Sequence, residues 1–205
     1  MEIRIYVEGG GDQRSGKAAF QRGISRFLDP IRVMARGKKV SFEVIACGGR
    51  GSTIDNFNTA LRLHSGAINI LLVDAEGPIR HPNPWEHLRR CESTWNIPQI
   101  PDTHCYLMTQ AMEAWVIADV KTLQAYYGQG FHTHSLPNNP DVEAVPKERL
   151  ERSLLNATRN TTKGEYHKIR HGPEILARAD HTVICGRASH CKRLFDSLLA
   201  MIATA

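Results

Sequence analysis

VEGGGDQRSGKAA, Val7 to Ala19, follows a short apolar run and packs three consecutive glycines, two acids and a Gly-Lys step into one loop. Two chemistries compete for it. A phosphate-cradling loop needs the spacing G-x-x-x-x-G-K-[ST], and Gly11 to Lys17 supplies all of it except the last letter, where Ala18 stands. A metal site needs carboxylates at strand ends, and Glu8 and Asp12 offer those. The missing hydroxyl at Ala18 counts against the phosphate loop, because that hydroxyl holds the nucleotide's Mg²⁺. Asp12 would also set a negative charge where backbone N–H groups should face anions.

Outward from the loop, four short apolar runs read as strands: Ile3 to Val7, Ser41 to Cys47, Ile68 to Val73 and His104 to Met108. Helical spacing links them, through Phe20, Ile24, Phe27 and Leu28, then Ile54, Phe57 and Leu61, then a start near Pro84 with Trp85 and Leu88. Strand alternating with helix predicts an α/β fold with a mostly parallel four-stranded sheet flanked by helices. AMEAWVIADVKTLQAYY extends this as one helix or two. FHTHSLPNNPDVEAVP, residues 131–146, has linker chemistry. Beyond it, helices from Pro146, from near Gly172 and from Ser189 predict a small C-terminal helical lobe. The expected division is a core over residues 1–135 and a lobe over 136–205.

Ligands gather at the carboxyl ends of strands in parallel sheets. Those ends carry Glu8 and Asp12 after the first strand, Asp74 and Glu76 after the third, and Glu113 after the fourth. Two carboxylates about 4 Å apart repel by about 4 kcal/mol at an effective dielectric of 20, so such a cluster demands protonation or a cation. Oxygen donors without His or Cys favour Mg²⁺ or Mn²⁺. Each acid alone also reads as a surface group or a helix cap, as Asp12 does before QRSGKAAF. Arg50, in CGGRGST, reads either as a phosphate contact or as part of a plain turn into a capped helix, with the turn favoured. Of the tryptophans, Trp115 reads as core.

The chain has 205 residues and a formal net charge of +5. Residues 1–144 hold 15 Lys/Arg against 15 Asp/Glu, and residues 145–205 hold 11 against 6, so the positive excess sits at one end. That end is suited to a polyanion. Five cysteines without a C-x-x-C pair indicate neither a disulfide framework nor a zinc ribbon, and buried free thiols are expected. No apolar run is long enough to span a bilayer and no signal-peptide pattern is present, so a cytoplasmic location is expected.

Glu8-Gly9-x-x-Asp12, Leu72-Val73-Asp74-Ala75-Glu76 and Met112-Glu113-Ala114-Trp115 resemble motifs of the Toprim-related proteins grouped as domain of unknown function 4276. More distantly the chain is similar to RloB-like and OLD-type Toprim nucleases. Lys168-x-x-His171-Gly172 looks like that group's C-terminal signature, and Glu76 departs from its commoner second Asp. The resemblance implies a Toprim-like (Rossmann-like) fold and Mg²⁺- or Mn²⁺-dependent phosphodiester chemistry on DNA or RNA. It also implies anti-phage defence beside an AAA or ABC-type ATPase partner. In that reading Glu8 is general base or metal ligand, Asp74 and Glu76 are ligands, and Glu113 is a ligand or orients one. Lys168 neutralises the phosphate and His171 donates a proton. Two alternatives stay open, a non-catalytic subunit that binds nucleic acid or an ATPase, and a degenerate P-loop ATPase. Self-association and the choice between DNA and RNA stay open too.

Overall fold

The computed structural model describes residues 1–205. Four strands, β1 (Glu2–Glu8), β2 (Ser41–Gly48), β3 (Ile68–Asp74) and β4 (Cys105–Met108), form one sheet of order β2-β1-β3-β4. All three pairings are parallel. Because β1 leads to one neighbour and β3 to the other, the order reverses between them, which opens a crevice at their carboxyl ends.

The strands are apolar on both faces because helices cover both. From β1, Ile3, Ile5 and Val7 point to one side, where Phe20, Ile24 and Phe27 of α1 (Arg14–Phe27) and Ile31 of α2 (Asp29–Gly37) are buried with them. Tyr6 points to the other side, toward Ile54 and Phe57 of α3 (Arg50–Leu63) and Trp85 and Leu88 of α4 (Pro84–Cys91). This alternation follows from the two-residue period of a strand.

After β4 the chain enters α5 (Met112–Ala118), every residue of which is buried, and α6 (Val120–Tyr127). Residues 131–146 are extended with two short 3-10 turns, and Leu136, Val142 and Val145 anchor them inside. The helices α7 (Lys147–Thr158), α8 (Lys168–Leu176), α9 (His181–Cys185) and α10 (Ser189–Ala203) follow. Their buried residues, among them Leu150, Ile175, Leu194 and Leu198, share one continuous cluster with Ile3 and Ile70 of the sheet. The C-terminal helices therefore complete the face of the sheet that α1 covers.

One boundary differs from the sequence reading. The second C-terminal helix starts at Lys168 rather than near Gly172, with His167 as its cap. Pro173 lies inside that helix, where its missing N–H costs one backbone hydrogen bond. Of the five cysteines, which are all free, Cys47, Cys105 and Cys191 are buried, whereas Cys91 is exposed and Cys185 partly so. No helix is long and apolar enough to cross a membrane.

Candidate metal centre

The crevice between β1 and β3 is where the acids meet. A bulge between Val7 and Glu8 brings Glu8 opposite Gly48 instead of Cys47; bulges of this kind re-aim a side chain at the end of a ladder. Gly9 then pairs with Gly48 in both directions, at 2.8 and 3.2 Å, and pins the point where the chain leaves the sheet. Gly9 has φ +144°, and a Cβ there would fall 2.4 Å from the Phe20 ring, so no other residue fits.

Glu8, Asp74 and Glu76 each place one carboxylate oxygen within 4.8 Å of the others. Asp74 is 1 % exposed and its Oδ1 accepts from the Met112 N–H at 2.8 Å, the first residue of α5. Glu8 Oε2 accepts from the Asp74 N–H at 3.1 Å. Glu76 sits at φ +62°, a left-handed conformation rare outside glycine and costing on the order of 1 kcal/mol. The Glu76 N–H is held by Gln110 O at 2.8 Å.

Cations thread between these acids. The Lys168 ammonium lies 2.6 Å from Asp74 Oδ2 and 3.3 Å from Glu113 Oε2. Arg50 reaches Glu8 at 3.0 Å, the Asp74 carbonyl at 2.5 Å and Glu92 at 2.8 Å, and its guanidinium lies 5.0 Å over the Trp95 ring. Lys147 pairs with Glu76 at 2.5 Å. The connected network holds five carboxylates (Glu8, Asp74, Glu76, Glu92, Glu113) against three cations, an excess of two negative charges.

Burial and this crowding show in the ionisation of its members. Burial first, and then the Asp74 charge, push Glu8 up to about 7, against the pull of Arg50. Burial likewise raises Glu113, with Lys168 opposing and Asp74 adding to the rise. Burial works against the charge on Lys168, but Asp74 and Glu113 override it and raise its pKa. Glu113 is 1 % exposed, and its Oε1 accepts from the Tyr166 hydroxyl at 3.2 Å. Its Oε2 has the Lys168 ammonium, at 3.3 Å, as its partner. An all-oxygen donor set of three carboxylates within 4.8 Å of one another, in a network whose carboxylates outnumber its cations, fits a divalent cation such as Mg²⁺ or Mn²⁺.

Four acids named from the sequence, Glu8, Asp74, Glu76 and Glu113, are thus brought together, with Lys168 among them. Asp12 is not. The chain turns at Gly10 and Gly11, with φ +87° and +63°, and carries Asp12 out to solvent at the start of α1. His171 is not there either. Its Nδ1 accepts from the His167 N–H at 3.2 Å, which leaves the Tyr127 hydroxyl to donate to the same nitrogen at 2.9 Å. Burial and then Arg170 lower its pKa, so the ring is a neutral packing group that seats α8 rather than a proton donor. Gly172 beside it lets α8 close on Met112 and Tyr166, where a Cβ would lie 2.7 Å from the Met112 methyl. That approach aims Lys168.

Arg50, Lys147 and Glu92 complete the network beyond the predicted set. Arg50 follows the end of β2, so the strand-end rule points to it, whereas Lys147 and Glu92 arrive from distant segments with no local signal. Trp115 and Trp85 are core, and Trp95 is half-buried under Arg50.

No curated protein and no solved structure matches the chain. The model of the family described as Domain of unknown function (DUF4276) matches residues 7–199, a span that contains every acid and cation of this network. By that match the chain belongs to the DUF4276 family.

Proposed function

We propose that this chain is a metal-dependent nuclease that hydrolyses phosphodiester bonds of DNA or RNA, related to Toprim and RloB-like enzymes. The observation that carries the reading is the convergence of the Glu8, Asp74 and Glu76 carboxylates at the switch point of the sheet. Glu8, Asp74 and Glu76 would hold the Mg²⁺ or Mn²⁺ ion, which supplies positive charge to the phosphate oxygens when bound.

The chain's own residues account for the rest. Lys168 is kept protonated by Asp74 and Glu113 and offers a fixed ammonium to a non-bridging phosphate oxygen. Arg50 is held by Glu8 and Glu92 and stacked near Trp95, which restricts its guanidinium to the same crevice. Glu8, with a pKa of about 7 before any ion binds, would give up its proton to take the ion, so metal uptake should weaken as the pH falls below 7. Tyr166 and Glu113 form the buried wall that fixes Lys168. The resemblance to Toprim-related proteins extends the proposal to a role in anti-phage defence alongside an ATPase.

One observation favours the non-catalytic reading. Lys168 and Arg50 already pair with Asp74 and Glu8, so part of the acidity is satisfied within the chain. The ATPase reading has less support. The Gly10 carbonyl oxygen packs against Gly16 in the first turn of α1, 2.2 Å from where a Cβ would stand, which sets an acceptor where a phosphate loop needs donors. The test is incubation of the purified chain with plasmid, single-stranded DNA and tRNA in Mg²⁺, Mn²⁺ or EDTA. Cleavage that needs the metal and disappears in Asp74→Asn supports the nuclease; nucleic-acid binding indifferent to metal, without cleavage, supports the non-catalytic subunit.

A further inference from the structure

The helix α1, RSGKAAFQRGISRF, carries Arg14, Lys17, Arg22 and Arg26 and no acid. It crosses α8 at Gly23, where a Cβ would lie 2.5 Å from the Pro173 carbonyl oxygen, so the two backbones touch. Over that crossing lies a cleft of about 310 Å³ with Arg22 and Arg26 on one rim and Arg170 and Arg178 on the other. All four are exposed. None of them joins an ion pair, unlike Arg4, Arg32, Arg50, Arg89 and Arg193 elsewhere. Glu174 is the one acid in the lining, and its Oε2 accepts from the Tyr126 hydroxyl at 3.1 Å.

The cleft opens at both ends. Past Arg26 it meets a second hollow, which Arg32 joins. Past Arg170 it meets a third, of about 710 Å³, lined by Gly10, Gly11 and Asp12, where the chain has just left Glu8. The 14 residues of α1 give this track a length of about 20 Å. Arg22 and Arg26 are one helical turn apart and repel, a cost that a bound anion reverses. Guanidinium groups grip phosphate through paired N–H donors. An elongated, open and polar track of this kind lacks the apolar enclosure of a small-molecule pocket.

We propose that the arginine track between α1 and α8 binds the sugar-phosphate backbone of a nucleic-acid strand and leads it toward the acid cluster. This deepens the nuclease reading, on which only the direction of the track depends; binding itself needs neither metal nor cleavage. Four phosphate contacts give a slope of about −3 in log affinity against log salt, or roughly 50-fold weaker binding from 50 to 200 mM salt.

The experiment is fluorescence anisotropy of a labelled 30-nucleotide strand, alone and as a duplex, in EDTA with the full chain. It compares wild type with Arg22→Glu, Arg170→Glu and Arg90→Glu, the last an exposed arginine of α4 on the opposite face. Thermal melts confirm that each variant is folded. The proposal expects at least 10-fold weaker binding and a shallower salt slope for Arg22→Glu and Arg170→Glu, with Arg90→Glu unchanged. Equal affinity for all four proteins, or no binding by wild type, overturns it. Wild-type binding that fails in the track variants, together with no cleavage in Mg²⁺ or Mn²⁺, leaves the track standing and removes the nuclease.

Discussion

Replacing Glu8 with Gln tests the electrostatics of the site without any assumption about substrate. Burial and the neighbouring Asp74 raise the Glu8 pKa from 4.5 to about 7. A raised acid binds its proton more tightly in the folded chain than in the unfolded one. The contribution to stability is therefore complete below pH 4.5, is lost as pH rises from 4.5 to 7, and is flat above. At 1.36 kcal/mol for each pKa unit, the loss is about 3 kcal/mol. Glutamine mimics the protonated acid, since its carbonyl still accepts from Arg50 and from the Asp74 N–H while it carries no charge. Urea unfolding in EDTA at pH 5, 6, 7 and 8 should show wild type losing stability relative to Glu8→Gln. About 2.5 kcal/mol of that loss falls between pH 5 and 8, so with an m-value of about 2 kcal/mol/M the difference between the two midpoints changes by about 1.2 M across the series. Mg²⁺ at pH 8 should restore wild type and leave the variant unmoved. Parallel pH profiles for the two proteins would refute the reasoning, because Glu8 would then carry no unrelieved charge.

Removing the cation opposite, in Lys168→Met, leaves Asp74 and Glu113 buried without their counter-ion and should lower stability by about 3 kcal/mol at pH 8, with a smaller loss at pH 5, read by urea melts. Glu76→Gly relieves the left-handed backbone and gives up a partly exposed ion pair with Lys147. It should gain about 0.5 kcal/mol in EDTA and lose the stabilisation by Mg²⁺, and a loss of stability in EDTA would count against strain at Glu76. At the helix crossing, Gly23→Val drives side-chain atoms into the Pro173 backbone and should cost about 2 kcal/mol, as a drop in thermal midpoint.

How much of this was legible in the sequence differs residue by residue. Glu8, Asp74, Glu76 and Glu113 could be read because parallel strands end on one edge and each acid follows an apolar run. Asp12 follows Glu8 by four residues where Glu76 follows Asp74 by two, and the three positive-φ glycines between turn it away, a direction that glycine spacing alone does not state. Arg50 carries the same letters as a helix start, so its second task, bridging Glu8 and Glu92, emerges only when α3 and α4 pack on one face. The His171-Gly172 pair read as chemistry and turned out to be packing: the histidine is clamped by Tyr127, and the glycine admits Met112. The helix α2 left no separate signal, because Leu28 joins it to α1 without a loop and Pro30 is tolerated in its first turn. The arginine track was invisible in a count that placed the positive excess after residue 144, since half of its rim comes from α1.

Glu8, Asp74 and Glu76 are proposed to hold a divalent cation. Crystals grown with Mn²⁺ and measured for anomalous scattering test it most directly. One or two anomalous peaks bounded by these three carboxylates are expected, and none in Asp74→Asn. A map in which the Lys168 ammonium still bridges Asp74 and Glu113, with no anomalous peak among the acids, would contradict it.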